Sequence, residues 1–432
     1  MPNLIESILY NGRIITLHAD QPRVSALAIS GGRVVALGSD DEILGLVGPT
    51  TRCEDLNGQC VIPGLTDAHI HWQRTAAALQ HVDLVDVPTK AEALARVAAQ
   101  AAATPAGEWV QGHGWAQGIW PDPAFPTAAD LDAVAPDQPV YLSARSGHAA
   151  WANSLALKHA QIDADTPDPD GGQILRDASG AATGILLEPA AMKLVADAIP
   201  PLTTEQIAGQ MQAAQQLALS LGLTGLHDFD DQTCLAALQL LRERDALRLR
   251  VVKNFNKRYL DSALDMGVRW GFGDDWLRIG GFKLFADGAL GPLTALMIEP
   301  YDEQPDNFGM VVTPKAELLD LASRASAAGF PLTIHAIGDL AVRDVLDVYA
   351  QLRAQEAARG LTDLPRHRIE HVQLIHPDDV DRLAELQIIA SMQPIHATSD
   401  YEVADRYWGD RVAWSYNPRL QLDRGVRVVF GS

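Results

Sequence analysis

The sequence predicts an α/β fold: a (β/α)8 barrel with an inserted α/β subdomain after its first strand and a partial β-sandwich domain at the N-terminus. Three observations point there. The 432 residues suit one barrel of roughly 250 residues with additions. Eight short apolar runs are spread along the chain with helical stretches between them, and such alternation builds a parallel sheet closed by helices. The first 62 residues instead alternate short apolar runs with turn residues, as a small antiparallel domain does.

In that opening segment, Ile8-Leu9-Tyr10 precedes Asn11-Gly12, and a later pair of runs flanks Gly31-Gly32. Both dipeptides accept positive φ and predict hairpins. Residues 1–62 are expected to form only part of a sandwich, with edges left for other strands. The barrel is expected over 63–432, with strands at 61–66, 224–228, 249–253, 278–284, 331–335, 368–371, 388–392 and 426–430. The connection from 67 to 223 is far longer than the roughly 2–6 residues plus a helix usual in such units, so it must hold an insertion, placed at about 80–200. Within it a helix is expected near 90–103, an extended run at 139–145 and a turn-rich stretch at 166–172. Segments 204–221 and 318–328 carry apolar residues at helical spacing, as outer-ring helices should.

Composition narrows the function classes. With 47% hydrophobic and 21% charged residues, the chain can bury a large core and is not of disordered type. Asp and Glu outnumber Lys and Arg by 55 to 34, a net charge of −21. That charge repels nucleic acid and anionic membranes alike. Cys53, Cys60 and Cys234 fit neither a disulfide framework nor a zinc knuckle. The N-terminus has no basic-then-apolar leader and no window forms a membrane span. The expectation is a cytoplasmic protein that acts on a small molecule, with a homo-oligomer left open.

The chemistry is concentrated at strand ends. His69-Ile70-His71 closes the first barrel strand; side chains two apart leave the same face, so both imidazoles can reach one ion. Lys283 sits among Ile279, Phe282, Leu284 and Phe285, where an ammonium is costly unless paired or modified. A carbamate formed with CO2 would turn it into a carboxylate able to bridge two cations; the alternative is an ion pair with Asp287 or another acid. His335 and His371 each end an apolar run. Alone, each is more often a core or loop residue. Together, these five residues on strands one, four, five and six converge at the barrel mouth as a metal site. A carboxylate on the eighth strand would complete it as ligand and general base.

PGLTDAHIHW, GHGWAQGIWP, PVYLSARSGHAAWANSLAL, TPDPDGGQI, FKLFADGALG, IHAIGD, RIEHVQL, SMQPIHATSD and VVFGS, in that order, resemble the successive motifs of the amidohydrolase superfamily, and more closely its amidohydrolase-3 branch of metal-dependent hydrolases such as N-substituted formamide deformylases. The resemblance implies that His69, His71, His335 and His371 are ligands and that Lys283 is a carboxylated bridge for one or two divalent ions, zinc by expectation. It implies hydrolysis of non-peptide C–N bonds. The family pattern continues from Gly-Ser into an aspartate, expected immediately after Ser432, and on for about 100 residues that complete the sandwich. A truncated, catalytically silent binding or regulatory form is therefore one alternative, and a deaminase or cyclic-imide hydrolase is another. Ala116, Ala289 and Pro292 depart from the pattern near the presumed substrate pocket. His148, Trp115, Asp287 and His396 are candidates for that pocket, though Trp72, Trp115 and Trp120 are equally readable as core. Asp339 and Glu370 are candidates for orienting ligand imidazoles, and His227 is the unassigned histidine expected to face the barrel interior.

Overall fold

The computed structural model describes residues 4–363 and 365–432. Eight parallel strands form one sheet in chain order: Leu65–Ile70, Leu223–Asp228, Arg250–Asn256, Leu277–Phe285, Leu332–Ala336, Arg368–His371, Ile389–Met392 and Val428–Phe430. The two edges meet where the Ser432 amide donates to the His69 carbonyl at 3.0 Å. The approach is tight: a Cβ on Gly431 would lie 2.4 Å from the His69 nitrogen, so only glycine fits there. Outer helices including Thr204–Ser220, Lys315–Ala327 and Asp339–Ala358 pack apolar faces on the sheet, and Phe282, Phe330, Ile334, Tyr349 and Ile369 fill the largest core.

The first strand begins later than the sequence suggests. Cys60–Val61 pairs with Arg13–Ile15 in a separate three-stranded sheet, and the barrel strand starts at Leu65. Pro63 lies between them and, without an amide proton, cannot continue a ladder. The second hairpin signal holds: Ala26–Ser30 and Arg33–Gly38 pair antiparallel about Gly31 and Gly32, at φ 58 and 69°. The first does not. Ser7–Tyr10 joins a four-stranded sheet while Arg13–Ile15 joins the three-stranded one, so Asn11-Gly12 passes the chain from one sheet to the other. A Cβ on Gly12 would lie 2.4 Å from Leu56 Cδ1, so any larger residue there must displace that side chain.

The long first connection carries a sheet of its own, of six strands in the order Gln173–Arg176, Ala182–Leu187, Ala149–Ala152, Val140–Ala144, Val110–Trp115 and Val82–Asp83. The helix Lys90–Ala103 covers it, capped by Thr89, whose side chain accepts from the Glu92 amide. Trp115, Trp120 and Trp151 meet in its core at centroid separations of 6.1–6.3 Å. Among the described residues no helix is long and apolar enough to cross a membrane.

Glu356, on the last turns of Asp339–Ala358, ties three elements behind the barrel. Its buried carboxylate accepts from Ser326 at 2.7 Å, Arg353 at 2.6 Å and His367 Nε2 at 2.8 Å. Burial alone would raise its pKa; the bonds from His367 and Ser326, with Arg353, hold it at about 2. A depressed carboxylate contributes stability that is fully present above its ordinary pKa and is lost as pH falls toward the folded value. Glu356→Gln should therefore cost about 3 kcal/mol at pH 7. The deficit should shrink between pH 4.5 and 2, as urea titrations of both proteins across that range will show.

Candidate metal centre

The barrel register gathers the strand ends. Phe285 lies opposite His335, His335 opposite Glu370, and Ala336 opposite His371. The imidazoles cluster: His69 to His371 is 5.0 Å between ring centroids, His335 to His371 4.6 Å, and His69 to His71 5.9 Å. Phe229 stacks on His69 at 4.1 Å. His371 has φ +81° and Val372 φ +45°, a conformation unfavourable for a β-branched residue. The Val372 amide is anchored on the Ala336 carbonyl and the Leu374 amide on that of Ile337, so the tertiary structure holds the strained turn that ends the sixth strand.

Each imidazole has one nitrogen fixed by an acceptor. His69 Nδ1 meets Glu370 at 2.5 Å, His71 Nδ1 meets Asp230 at 3.1 Å, and His371 Nδ1 meets Gln393 Oε1 at 2.7 Å. The Gln393 amide nitrogen donates to the Ser391 carbonyl, which orients its oxygen toward His371. In His335 the pattern is reversed: Nε2 meets the Gly288 carbonyl at 2.7 Å, with Asp287 at 3.4 Å. A nitrogen facing an acceptor carries the proton, so its ring partner keeps a lone pair. The four rings thus leave Nε2, Nε2, Nδ1 and Nε2 in chain order without a protein partner among the described residues.

Electrostatics agrees with neutral rings. Burial, then the Lys283 charge, lowers His69 to about 4 and His335 to about 3; burial, then His335 and Lys283, takes His371 well below the usual range. Lys283 is itself lowered to about 8 by burial, against the pull of Glu370. Its ammonium lies 5.1 Å from the Phe229 ring centroid and 4.9 Å from that of Phe285, and forms no ion pair among the described residues. Asp287, the partner considered for it, is engaged elsewhere. Its carboxylate takes the amides of Leu296, Ile337 and Gly338, and burial raises it to about 7.

Beneath the cluster, Arg368 donates to both oxygens of Glu370, to the Ala68 carbonyl and to Ser391 Oγ. His227 faces this interior, its Nδ1 2.9 Å from an Arg368 nitrogen. Burial would raise Glu370; Arg368, then His69, holds it well below the carboxylate range.

Several expected pocket residues lie elsewhere. Trp115 is 1% exposed in the insertion core, with its indole nitrogen on the Leu142 carbonyl, because its strand turns that face onto Trp120 and Trp151. Asp287 is 1% exposed and organises the loop after strand four, 3.4 Å from His335 Nε2. His148 is exposed and bonded to Glu188 at 2.9 Å, outside the cluster. Asp339 orients no imidazole; it accepts from the Ile298 and Leu340 amides, since it opens a helix whose free amides it meets. Glu370 does orient an imidazole, that of His69 across the barrel. His396 stands 5.5 Å from the His371 ring, its Nδ1 2.6 Å from Gln373 Nε2, beside a cavity of about 20 Å³ also lined by His371, Gln393 and Tyr416. A concavity of about 860 Å³ in the N-terminal region has no histidine in its wall. Asp230, Gln393 and Arg368 complete the site without having been singled out. Asp228 and Asp230, two apart at a strand end, carry the same period-two signal as His69 and His71.

A model of the amidohydrolase family matches residues 52–432. Protein LONG AFTER FAR-RED 3 of Arabidopsis thaliana is 32% identical over 442 residues, covering 98% of this chain and 74% of that protein. The N-substituted formamide deformylase of Arthrobacter pascens is 31% identical over 448 residues, covering 100% and 81%. An uncharacterised metal-dependent hydrolase from Pyrococcus furiosus superposes with a TM-score of 0.80 at 30% identity, over 99% of this chain and 85% of that one. With its barrel, its clustered imidazoles and a family match over most of its length, the chain belongs to the amidohydrolase family.

Proposed function

We propose that this protein is a metal-dependent hydrolase of non-peptide carbon–nitrogen bonds in small molecules, of amide or formamide type. The observation that carries the reading is the set of four imidazoles, each with one nitrogen fixed by an acceptor and the other left free, around a buried lysine that forms no ion pair among the described residues. The likeness to a formamide deformylase and to a metal-dependent hydrolase supports it.

One or two divalent ions, zinc by this reading, would be held by His69, His71, His335, His371 and Lys283. When bound, such a metal supplies Lewis-acid polarisation of a carbonyl and a water acidified to near neutrality. The chain's own groups make that possible. Glu370, anchored by Arg368, and Asp230 keep the ring protons of His69 and His71 on the outward nitrogens, so that the inner ones donate. Burial eases loss of the Lys283 ammonium proton to solvent; the neutral amine can then attack CO2, the C–N bond forming as one C–O π bond breaks, a second proton leaves nitrogen to solvent, and the carbamate carries one negative charge. That charge would offset the cations. His396, accepting at Nδ1 from Gln373, keeps its proton on Nε2 as a donor for a substrate oxygen at the mouth.

Elemental analysis of the purified chain should find one to two equivalents of zinc, and His69→Ala or His335→Ala should weaken retention by about 100-fold or more. Free amine or formate, released from a panel of amides and formamides, should mark the reaction; ammonia released from ring substrates would instead move it to deamination. Protein equilibrated with ¹³C-bicarbonate should show a carbamate resonance that is absent from Lys283→Ala. A spectrum with no such signal in the wild type would remove the bridge from the mechanism.

A further inference from the structure

Behind His71 lies a second cluster of ionisable groups. Asp228, Asp230 and Cys234 bring two carboxylate oxygens and a thiol sulfur within 4.8 Å of one another, all buried. Such a set could attract a cation, and a cation is already there. Lys253, from the third strand and only 1% exposed, sets its ammonium 2.7 Å from Asp228 Oδ2, on the Asp230 carbonyl, and 3.3 Å from the Asn254 carbonyl. Its three N–H directions each meet an oxygen.

The two carboxylates carry this anchorage to the metal centre. Asp228 Oδ1 accepts the Trp72 amide at 2.9 Å, and Oδ2 accepts the Asp230 amide at 3.1 Å. Asp230 in turn takes the His71 Nδ1 proton on one oxygen and the Arg74 amide at 3.2 Å on the other. The path is continuous through strands three, two and one: Lys253, then Asp228 and Asp230, then His71. The ammonium pairs with the Asp228 carboxylate and takes only the backbone carbonyl of Asp230, which leaves the Asp230 carboxylate free to face His71. The Arg74 guanidinium, 3.5 Å from Asp230, is 80% exposed and screened by solvent.

Resting on the metal reading above, we propose that Lys253 is a positioning residue for the centre: by neutralising Asp228 and pinning the Asp230 backbone, it fixes the carboxylate that holds the His71 ring ready for a metal. Without the ammonium, the Asp228 carboxylate and the Asp230 carbonyl would lose the donor they share. Asp230 would then be free to turn away from His71, which releases His71 Nδ1.

The test uses the full chain, with zinc affinity from competition against a chromophoric chelator and cobalt(II) absorption as a report on ligand geometry. Lys253→Met should fold, by circular dichroism, yet bind zinc about 10- to 100-fold more weakly and show shifted cobalt bands. If Lys253→Met does not fold, Asp228→Asn carries the test, since its one oxygen can still accept the Trp72 amide while the charge and the acceptor that holds Lys253 and the Asp230 amide are lost; the expected direction is the same. A folded variant with reduced thermal stability but wild-type zinc affinity and cobalt spectrum overturns the role and leaves Lys253 purely structural. A wild-type chain that binds neither ion overturns the metal reading itself, and Lys253's role with it.

Discussion

Inside the barrel Arg368 bonds both oxygens of Glu370, the Ala68 carbonyl and Ser391 Oγ, so one guanidinium links strands one, six and seven beneath the imidazoles. Taking such a pair out of water is costly, and only dense hydrogen bonding compensates for it. The arrangement gains specificity from that cost. Glu370 has both oxygens engaged and can accept from His69 in only one ring orientation. A hydrophobic floor of equal volume could be as stable, but it would leave His69 free to rotate. Neutral, oriented imidazoles around a low-pKa lysine follow from this buried pair and the carboxylates beside it.

Much of the cluster could be read from the sequence because its histidines and lysine sit at strand ends, where apolar runs stop and period-two spacing shows. His69 with His71, Lys283, His335 and His371 all carry that local signature, and the barrel topology brings them together. Their orienting partners follow another rule. Glu370 lies beside His371 in sequence yet serves His69, and His371 depends on Gln393 from the next strand. Which side chains meet across parallel strands is set by register and barrel tilt, which no local pattern encodes. The same limit explains Trp115. An aromatic residue near a glycine-rich strand end suits a pocket wall or a core equally well, and the packing of the inserted sheet decides for core.

Boundaries failed where two sheets compete for one stretch of chain. The run at 61–66 is apolar enough for a barrel strand, but Pro63 divides it: Cys60–Val61 joins the N-terminal sheet, and Leu65–Ile70 begins the barrel. Asn11-Gly12 likewise turns the chain without pairing its flanks. A turn signal reports local backbone freedom; whether the flanking strands pair with each other depends on which sheet offers each of them a partner.

The seam of the barrel has a consequence in time. Asp67 and Ser432 are bonded across 365 positions of sequence, and loop closure over such a span is slow compared with the pairing of neighbouring strands. At a synthesis rate of about 5–20 residues per second, roughly 20–70 s separate the emergence of the two partners. Throughout that interval the strand bearing His69 and His71 has a bare edge, while the insertion that follows it already has all six of its strands. The insertion is therefore placed to fold first as a unit of its own, and the histidine pair at the start of the barrel gains its last neighbour only after the eighth strand has emerged.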